Sequence, residues 1–281
     1  MKKVTKTTLV IAGVLFSSQV VNTRVVHADG PTYTPNWSLD SSGTLHIQSG
    51  MLATDASHRN HVSPWDDLKN RIVKITFDGK VKADYDISYL FSNLNKVTTI
   101  ENLDNLDLSS VYYMGEVFSG DTSLLSLDLS NVKTPNALSM EYMFSGDTSL
   151  TSLNLSDFNT SQVRQMTGMF SGDTSLTSLD LSSFNTTAIL ALTGIDKQMA
   201  VYQMFDGVKN LSSIKLGPNI SFAPFKEDYY MLDLTDPTSN VTYTGKWVNS
   251  KGQKLDSLKD YNGVGGDGSD VWSGTWNWEK R

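Results

Sequence analysis

The sequence predicts an α/β repeat solenoid, one strand plus one short helix per unit, with a β-rich N-terminal cap and a small C-terminal β-module. Three observations predict it. The string Phe-Ser-Gly-Asp-Thr-Ser-Leu recurs at Phe118, Phe144 and Phe170, at one constant interval. Leucines that alternate with polar residues follow each copy, and apolar residues at helical spacing precede it. A fixed period of this length marks units that cannot bury a core alone and stack to do so.

The strand comes first. Leu176, Leu179 and Leu181 hold the first, fourth and sixth positions of Leu-Thr-Ser-Leu-Asp-Leu. Leu179 and Leu181 alternate with polar neighbours, as in a half-buried strand. Leu150, Leu153 and Leu155 repeat the pattern, as do Leu124, Leu127 and Leu129, then Leu211, Ile214 and Leu216. Val97 and Ile100 begin it. A weaker copy of the string stands at Phe91, slightly more than one interval before Phe118, and another at Phe205, after an insertion within 187–200.

The helix is expected from Val163, Met166, Met169 and Phe170, which fall at i, i+3, i+6 and i+7 on one face. Asn159-Thr160-Ser161 offers side-chain oxygens to cap its start. Gly172, with Gly120 and Gly146 in the other copies, suits a left-handed exit.

The unit at residues 169–186, Met-Phe-Ser-Gly-Asp-Thr-Ser-Leu-Thr-Ser-Leu-Asp-Leu-Ser-Ser-Phe-Asn-Thr, resembles the BspA-type leucine-rich repeat of bacterial surface proteins. The resemblance covers roughly residues 85–220. Ser63-Pro64-Trp65 through Ile75-Thr76-Phe77-Asp78-Gly79 is similar to the lead-in of such proteins from lactobacilli and related Gram-positive bacteria. The resemblance implies a leucine-rich repeat solenoid and an adhesive role, some members binding host matrix proteins such as fibronectin and fibrinogen. It implies no catalytic set. Family members of this kind often end in a sortase signal, and Trp276-Asn277-Trp278-Glu279-Lys280-Arg281 is not one. The expectation is therefore release, non-covalent retention, or a longer natural protein.

Export is expected from the segment 1–28. Lys2, Lys3 and Lys6 precede the apolar run Leu9–Phe16, and Val26-His27-Ala28 offers a cleavage site. That order is a secretory signal peptide, and the run is shorter than the roughly 20 residues of a membrane span. Four of the 23 basic residues and none of the 30 acidic ones lie there, so 19 bases face 30 acids in the remainder, a net −11. Nucleic acid and anionic membrane are thereby disfavoured as partners. With no cysteine, neither disulfides nor thiolate metal sites are available.

Residues 29–84 read as the cap. Trp37 and Leu39, the turn Asp40-Ser41-Ser42-Gly43, then Leu45 and Ile47 give a hairpin pattern, and Val73, Ile75 and Phe77 a further strand. Repeats occupy 85–221. Residues 222–281 form the Trp-rich module, with Val241-Thr242-Tyr243 and Gly274–Trp278 as its best strands.

Candidate ligand-binding residues are those flanking the inward leucines. They are Glu101, Ser126 and Asp128, Ser152 and Asn154, Ser178 and Asp180, and Lys215. Stacked strands would align them into a polar strip facing a host extracellular matrix protein or mucin, or simply facing solvent. Trp272, Trp276 and Trp278 share parity and form an alternative platform for cell-wall glycan, or the core of the module. A structural spacer within a longer surface protein is the third possibility. Asp121, Asp147 and Asp173 recur in the turns, where calcium or plain turn chemistry would use them. His58 and His61, with Asp55, Asp66 and Asp67 nearby, fall short of a zinc motif. No cofactor or metal is expected. No nucleophile elbow, phosphate loop or catalytic cysteine is present, so the chain is read as a binding protein and not an enzyme.

Overall fold

A computed structural model of the chain describes residues 37–52, 63–222, 242–263 and 272–281. Residues 1–28, where a signal peptide is expected, and His58, His61, Asp55 and Val241 lie outside the described residues.

The N-terminal hairpin pairs β1 (Trp37–Leu39) with β2 (Thr44–Ile47) in antiparallel fashion. The Asp40 carboxylate holds the turn by accepting the backbone N–H of Ser42 and of Thr44, both at 2.9 Å. A short β3 follows (Gly50–Leu52). Strands β4 (Lys74–Phe77), β5 (Val81–Ala83), β6 (Thr99–Glu101) and β7 (Leu106–Asp107) lead into the repeats. The repeat strands are β8 (Ser126–Asp128), β9 (Ser152–Asn154) and β10 (Ser178–Leu181). Helices α1 (Thr187–Leu190) and α2 (Gly194–Met199) precede β11 (Ser213–Leu216). The C-terminal part adds β12 (Tyr243–Asn249), β13 (Lys254–Leu255) and β14 (Gly274–Lys280). Among the described residues no helix is long and apolar enough to cross a membrane.

The expected α/β leucine-rich repeat solenoid is overturned. The regular secondary structure of the described residues is mostly short strands in four small sheets, ordered β1-β2-β4-β6, β3-β5-β7, β8-β9 and β10-β11-β14-β12-β13. The two short helices both sit at the insertion between the fourth and fifth copies of the motif, not in the repeats. The segment expected to be helical is a run of turns. Its apolar residues are buried as the spacing required, Val163, Met166, Met169 and Phe170 all at 0% exposure. Its amides, however, bond sideways to the next copy instead of back along a helix. Met166 N–H donates to Ala200 O at 2.7 Å, Gly168 N–H to Tyr202 O at 2.8 Å and Phe170 N–H to Met204 O at 2.9 Å. Gly168, at φ +58°, also breaks any helical run.

The cap expected of Thr160 is redirected in the same way. Its buried hydroxyl donates to Asn185 O at 3.0 Å and accepts Asn185 N–H at 2.7 Å, tying one copy to the next. The glycines of the Phe-Ser-Gly-Asp string do adopt left-handed backbone, φ +79° to +84° at Gly120, Gly146 and Gly172, but leave a turn and not a helix.

Successive copies run in parallel register. Ser126, Leu127 and Asp128 stand opposite Ser152, Leu153 and Asn154, and Leu179 stands opposite Ile214. The core is a set of ladders. Phe91, Phe118, Phe144, Phe170 and Phe205 stack with ring centroids 5.5–5.9 Å apart and planes within 21°. Phe77 and Phe222 close the spine at its two ends with perpendicular rings. This geometry is favourable for aromatic pairs beyond simple burial.

The C-terminal tryptophan segment belongs to the same construction. Strand β14 pairs antiparallel with β11, placing Trp276 opposite Ile214, and so covers the last repeat strand. Tyr261 donates its hydroxyl to Gly217 O at 2.9 Å.

Candidate functional site

The strand face carries the residues singled out from the sequence. Glu101, Ser126, Asp128, Ser152, Asn154 and Ser178 are exposed, Asp180 is half-buried and Lys215 is exposed. Most of the polar groups there already serve neighbours. Asp128 accepts Ser130 N–H at 3.0 Å, and Asn154 accepts Ser156 N–H at 3.2 Å. Asp180 accepts both the N–H and the hydroxyl of Ser182, and pairs with Lys215 at 2.9 Å. Burial pushes the Asp180 carboxyl up, but these partners outweigh it and hold its pKa below the usual value. Glu101 pairs with Lys74 at 2.7 Å. This face is regular and hydrophilic, built largely of turn-capping side chains and serine hydroxyls, and none of the residues singled out on it is aromatic.

The tryptophans do not form an open platform. Trp276 is buried, stacks on Trp272 at 5.9 Å and donates its indole N–H to the Trp272 carbonyl at 3.1 Å. Trp278 packs edge-on against Trp247 and Tyr243. Of the three, only Trp272 and Trp278 are left half-exposed.

The aspartates of the turns are inside. Asp121, Asp147 and Asp173 are each 0% exposed. Each Oδ1 accepts a backbone N–H from the preceding copy, of Leu94, Asp121 and Asp147 respectively, at 2.8–3.0 Å. Each Oδ2 is buried without a partner among the described residues. Burial raises all three pKa values, Asp173 to about 10 with the neighbouring Asp147 adding to the shift. A calcium ion takes six to eight oxygens, and among the described residues no three His, Asp or Glu side chains gather for a metal. These carboxyls are interior hydrogen-bonding groups.

A second surface was not singled out from the sequence. Asp86, Tyr113, Ser139 and Gln165 form a ladder of parallel bridges across four copies, away from the strand row. Three positions further on in each copy the backbone turns left-handed, at Tyr89 (φ 63°), Glu116 (φ 54°), Tyr142 (φ 52°) and Gly168 (φ 58°), and the fifth copy does the same at Gln203 (φ 52°). This conformation costs an L-residue about 1–2 kcal/mol. Ladder bonds impose it: Tyr89 N–H donates to Gly115 O, Glu116 N–H to Glu141 O and Tyr142 N–H to Thr167 O, at 2.8–2.9 Å.

The side chains so placed line a cleft of about 300 Å³. Its walls include Tyr89, Tyr113 and Tyr142. Asp86, Glu116 and Glu141 supply carboxylates, one from each of three successive copies. Gly115 lies among them. Burial and the Glu116 charge beside it push the Tyr89 phenol up to about 12, and burial with Glu141 and Glu116 raises Tyr142. Both phenols therefore stay protonated donors at neutral pH. Tyr142 lies across Gly168, where an added Cβ would come within 2.2 Å of its ring. Tyr85 extends the rim, 5.1 Å from Tyr112 and 5.3 Å from Tyr113 between ring centroids.

The only sequence signal for this surface was positional. Tyr89, Glu116, Tyr142, Gly168 and Gln203 each stand two positions before the repeated Phe, and share no chemistry that a pattern search would catch.

Residues 85–205 match the family model of a Mycoplasma protein of unknown function, DUF285. The matched span begins and ends with the copies that carry the cleft and the aromatic spine. No curated protein and no solved structure matches the chain.

Proposed function

We propose that the chain is an exported binding protein, of the adhesin kind, that holds a partner macromolecule on the flank of its stacked copies. The observation that carries this reading is the tyrosine–carboxylate cleft. Tyr89, Glu116 and Tyr142 are held on left-handed backbone by inter-copy hydrogen bonds, so these groups are fixed before any partner arrives. Preorganised aromatic anchors are the feature that binding surfaces use most. The resemblance to BspA-type surface proteins and the signal-like segment 1–28 favour an extracellular setting, with a host matrix protein or mucin as partner. The strand face remains a candidate for additional contact, although its charged groups are mostly engaged. A glycan platform at Trp272, Trp276 and Trp278 is disfavoured by the burial of Trp276.

The test is saturation binding of the chain to arrayed matrix proteins, mucins and cell-wall glycans, at low and raised salt. Saturable binding to a matrix protein or mucin supports the reading. Binding confined to wall glycan, or no binding at all, would remove it.

A further inference from the structure

We infer that the tyrosine–carboxylate cleft receives lysine or arginine side chains from a basic segment of the partner protein. This rests on the binding-protein reading above and adds the chemistry of what is bound.

Charge balance comes first. Asp86, Glu116 and Glu141 line the cleft, and among the described residues no Lys, Arg or His lines it with them. Asp86 accepts the Ser88 N–H at 2.8 Å and Glu141 the Ser139 hydroxyl at 3.0 Å, but these neutral donors leave the charge unpaired, whereas on the strand face Glu101 has Lys74 and Asp180 has Lys215. A cleft walled by three carboxylates and no cation of its own is completed by a cation from outside.

The rings make the same selection. Tyr89, Tyr113 and Tyr142 bring π-faces to the carboxylates, and ammonium and guanidinium groups are attracted to both. A neutral sugar would use the rings and donate its hydroxyls to the carboxylates, but it would leave their three charges unneutralised. A phosphate or sulfate would be repelled. The size also fits: about 300 Å³ is the low end of cavities that take whole small molecules. It accommodates the ends of long side chains.

Gly115 supplies an independent observation. Its backbone is not left-handed. A Cβ added there would meet only ordinary contacts, 3.5 Å to Ser88 Oγ and 3.6 Å to the Glu141 carbonyl. Neither backbone nor packing requires glycine at this position. In the aligned position of other copies stand Ser88, Glu141, Thr167 and Tyr202, all with side chains. The missing side chain keeps the cleft open between the copies that supply its carboxylates.

The experiment is calorimetric titration of the full chain with an acetylated heptapeptide of alternating serine and lysine, at two salt concentrations. The same peptide with norleucine for lysine, a mucin-type oligosaccharide and spermidine serve as comparators. Saturable binding of the lysine peptide, weakened by salt, is expected. It falls by about tenfold or more in the Glu116→Gln/Glu141→Gln double variant. It falls likewise in Gly115→Leu, which fills the cleft without changing charge. Asp157→Asn, an exposed acid outside the cleft, binds as the parent does. Melting curves check that the variants fold, and Gly115→Ala stands in for Gly115→Leu if the larger side chain unfolds the chain. Binding that ignores the cleft variants, preference for the oligosaccharide, equal binding of the norleucine peptide, binding of spermidine but not of the peptide, or no binding overturns the inference. Array binding that persists unchanged in these variants overturns the cleft chemistry and leaves the binding-protein reading standing. Loss of array binding in the parent chain removes both.

Discussion

Asp173 offers the sharpest test of how the stacked copies are held together. Its carboxyl is fully buried, with Oδ1 accepting the Asp147 N–H at 3.0 Å and Oδ2 without a partner among the described residues. Burial, reinforced by the neighbouring Asp147, moves its pKa to about 10, whereas an unfolded aspartate titrates near 3.9. The folded chain thus holds a proton that the unfolded chain releases throughout that window. The stability this proton provides is fully present below about pH 4 and is lost as pH rises toward about 10. Each pH unit in the window is worth up to about 1.4 kcal/mol for one such group, so about pH 5 to about pH 8 spans up to about 4 kcal/mol. Asp173→Asn keeps the acceptor for Asp147 N–H and puts a permanently neutral group where the protonated acid stood. Urea unfolding of parent and variant at several pH values is the assay. The Asn variant should match the parent below about pH 4 and exceed it progressively from about pH 5 toward pH 8. Taking the difference between the two chains cancels carboxyls of opposite behaviour. One is Asp107, whose pKa is held down by the Ser109 backbone N–H and hydroxyl. A stability difference that stays constant from about pH 5 to about pH 8 would refute an interior, proton-bearing carboxyl at this position.

Phe144→Ala should lower stability by about 3–5 kcal/mol in denaturant titration, since it empties the middle of the aromatic spine and removes stacked partners on both sides at 5.8 Å. Thr160→Val keeps the shape but loses both bonds to Asn185, and should cost about 1–3 kcal/mol, while Thr160→Ser restores most of it. If Thr160 merely capped a local helix, hydrogen exchange at Asn185 would not change in the Val variant. Gly168→Ala combines a positive φ with a Cβ 2.2 Å from the Tyr142 ring, and should both lower the melting temperature and weaken peptide binding by displacing that ring.

The parallel register was legible in the sequence because one identical heptapeptide at fixed spacing pins it. The inward leucines followed from two-residue alternation, and the hairpin from Asp40-Ser41-Ser42-Gly43 with alternating residues on both sides. The helices were misread for a physical reason. Val163, Met166, Met169 and Phe170 bury one face at helical spacing, but so does a wound backbone whose amides find partners in the next copy. Periodicity reports which side chains are buried and not where the N–H groups donate. Thr160 and the turn aspartates were misplaced by the same omission. Their oxygens serve the adjacent copy, and local reading assigned them to caps and surface turns. The strand face was legible because strand parity exposes it. The cleft was not, because it rests on positions whose left-handed backbone depends on neighbours, and Tyr and Glu are not residues that announce such a conformation.

The measurement that bears most directly on the central claim is amide hydrogen exchange on the full chain, with and without saturating fibronectin or mucin. Added protection is expected at residues 86–89, 112–116 and 139–142, around the cleft, with little change elsewhere. Protection confined to the strand face at 126–128, 152–154 and 178–180, or to the tryptophan strand at 274–280, would contradict it.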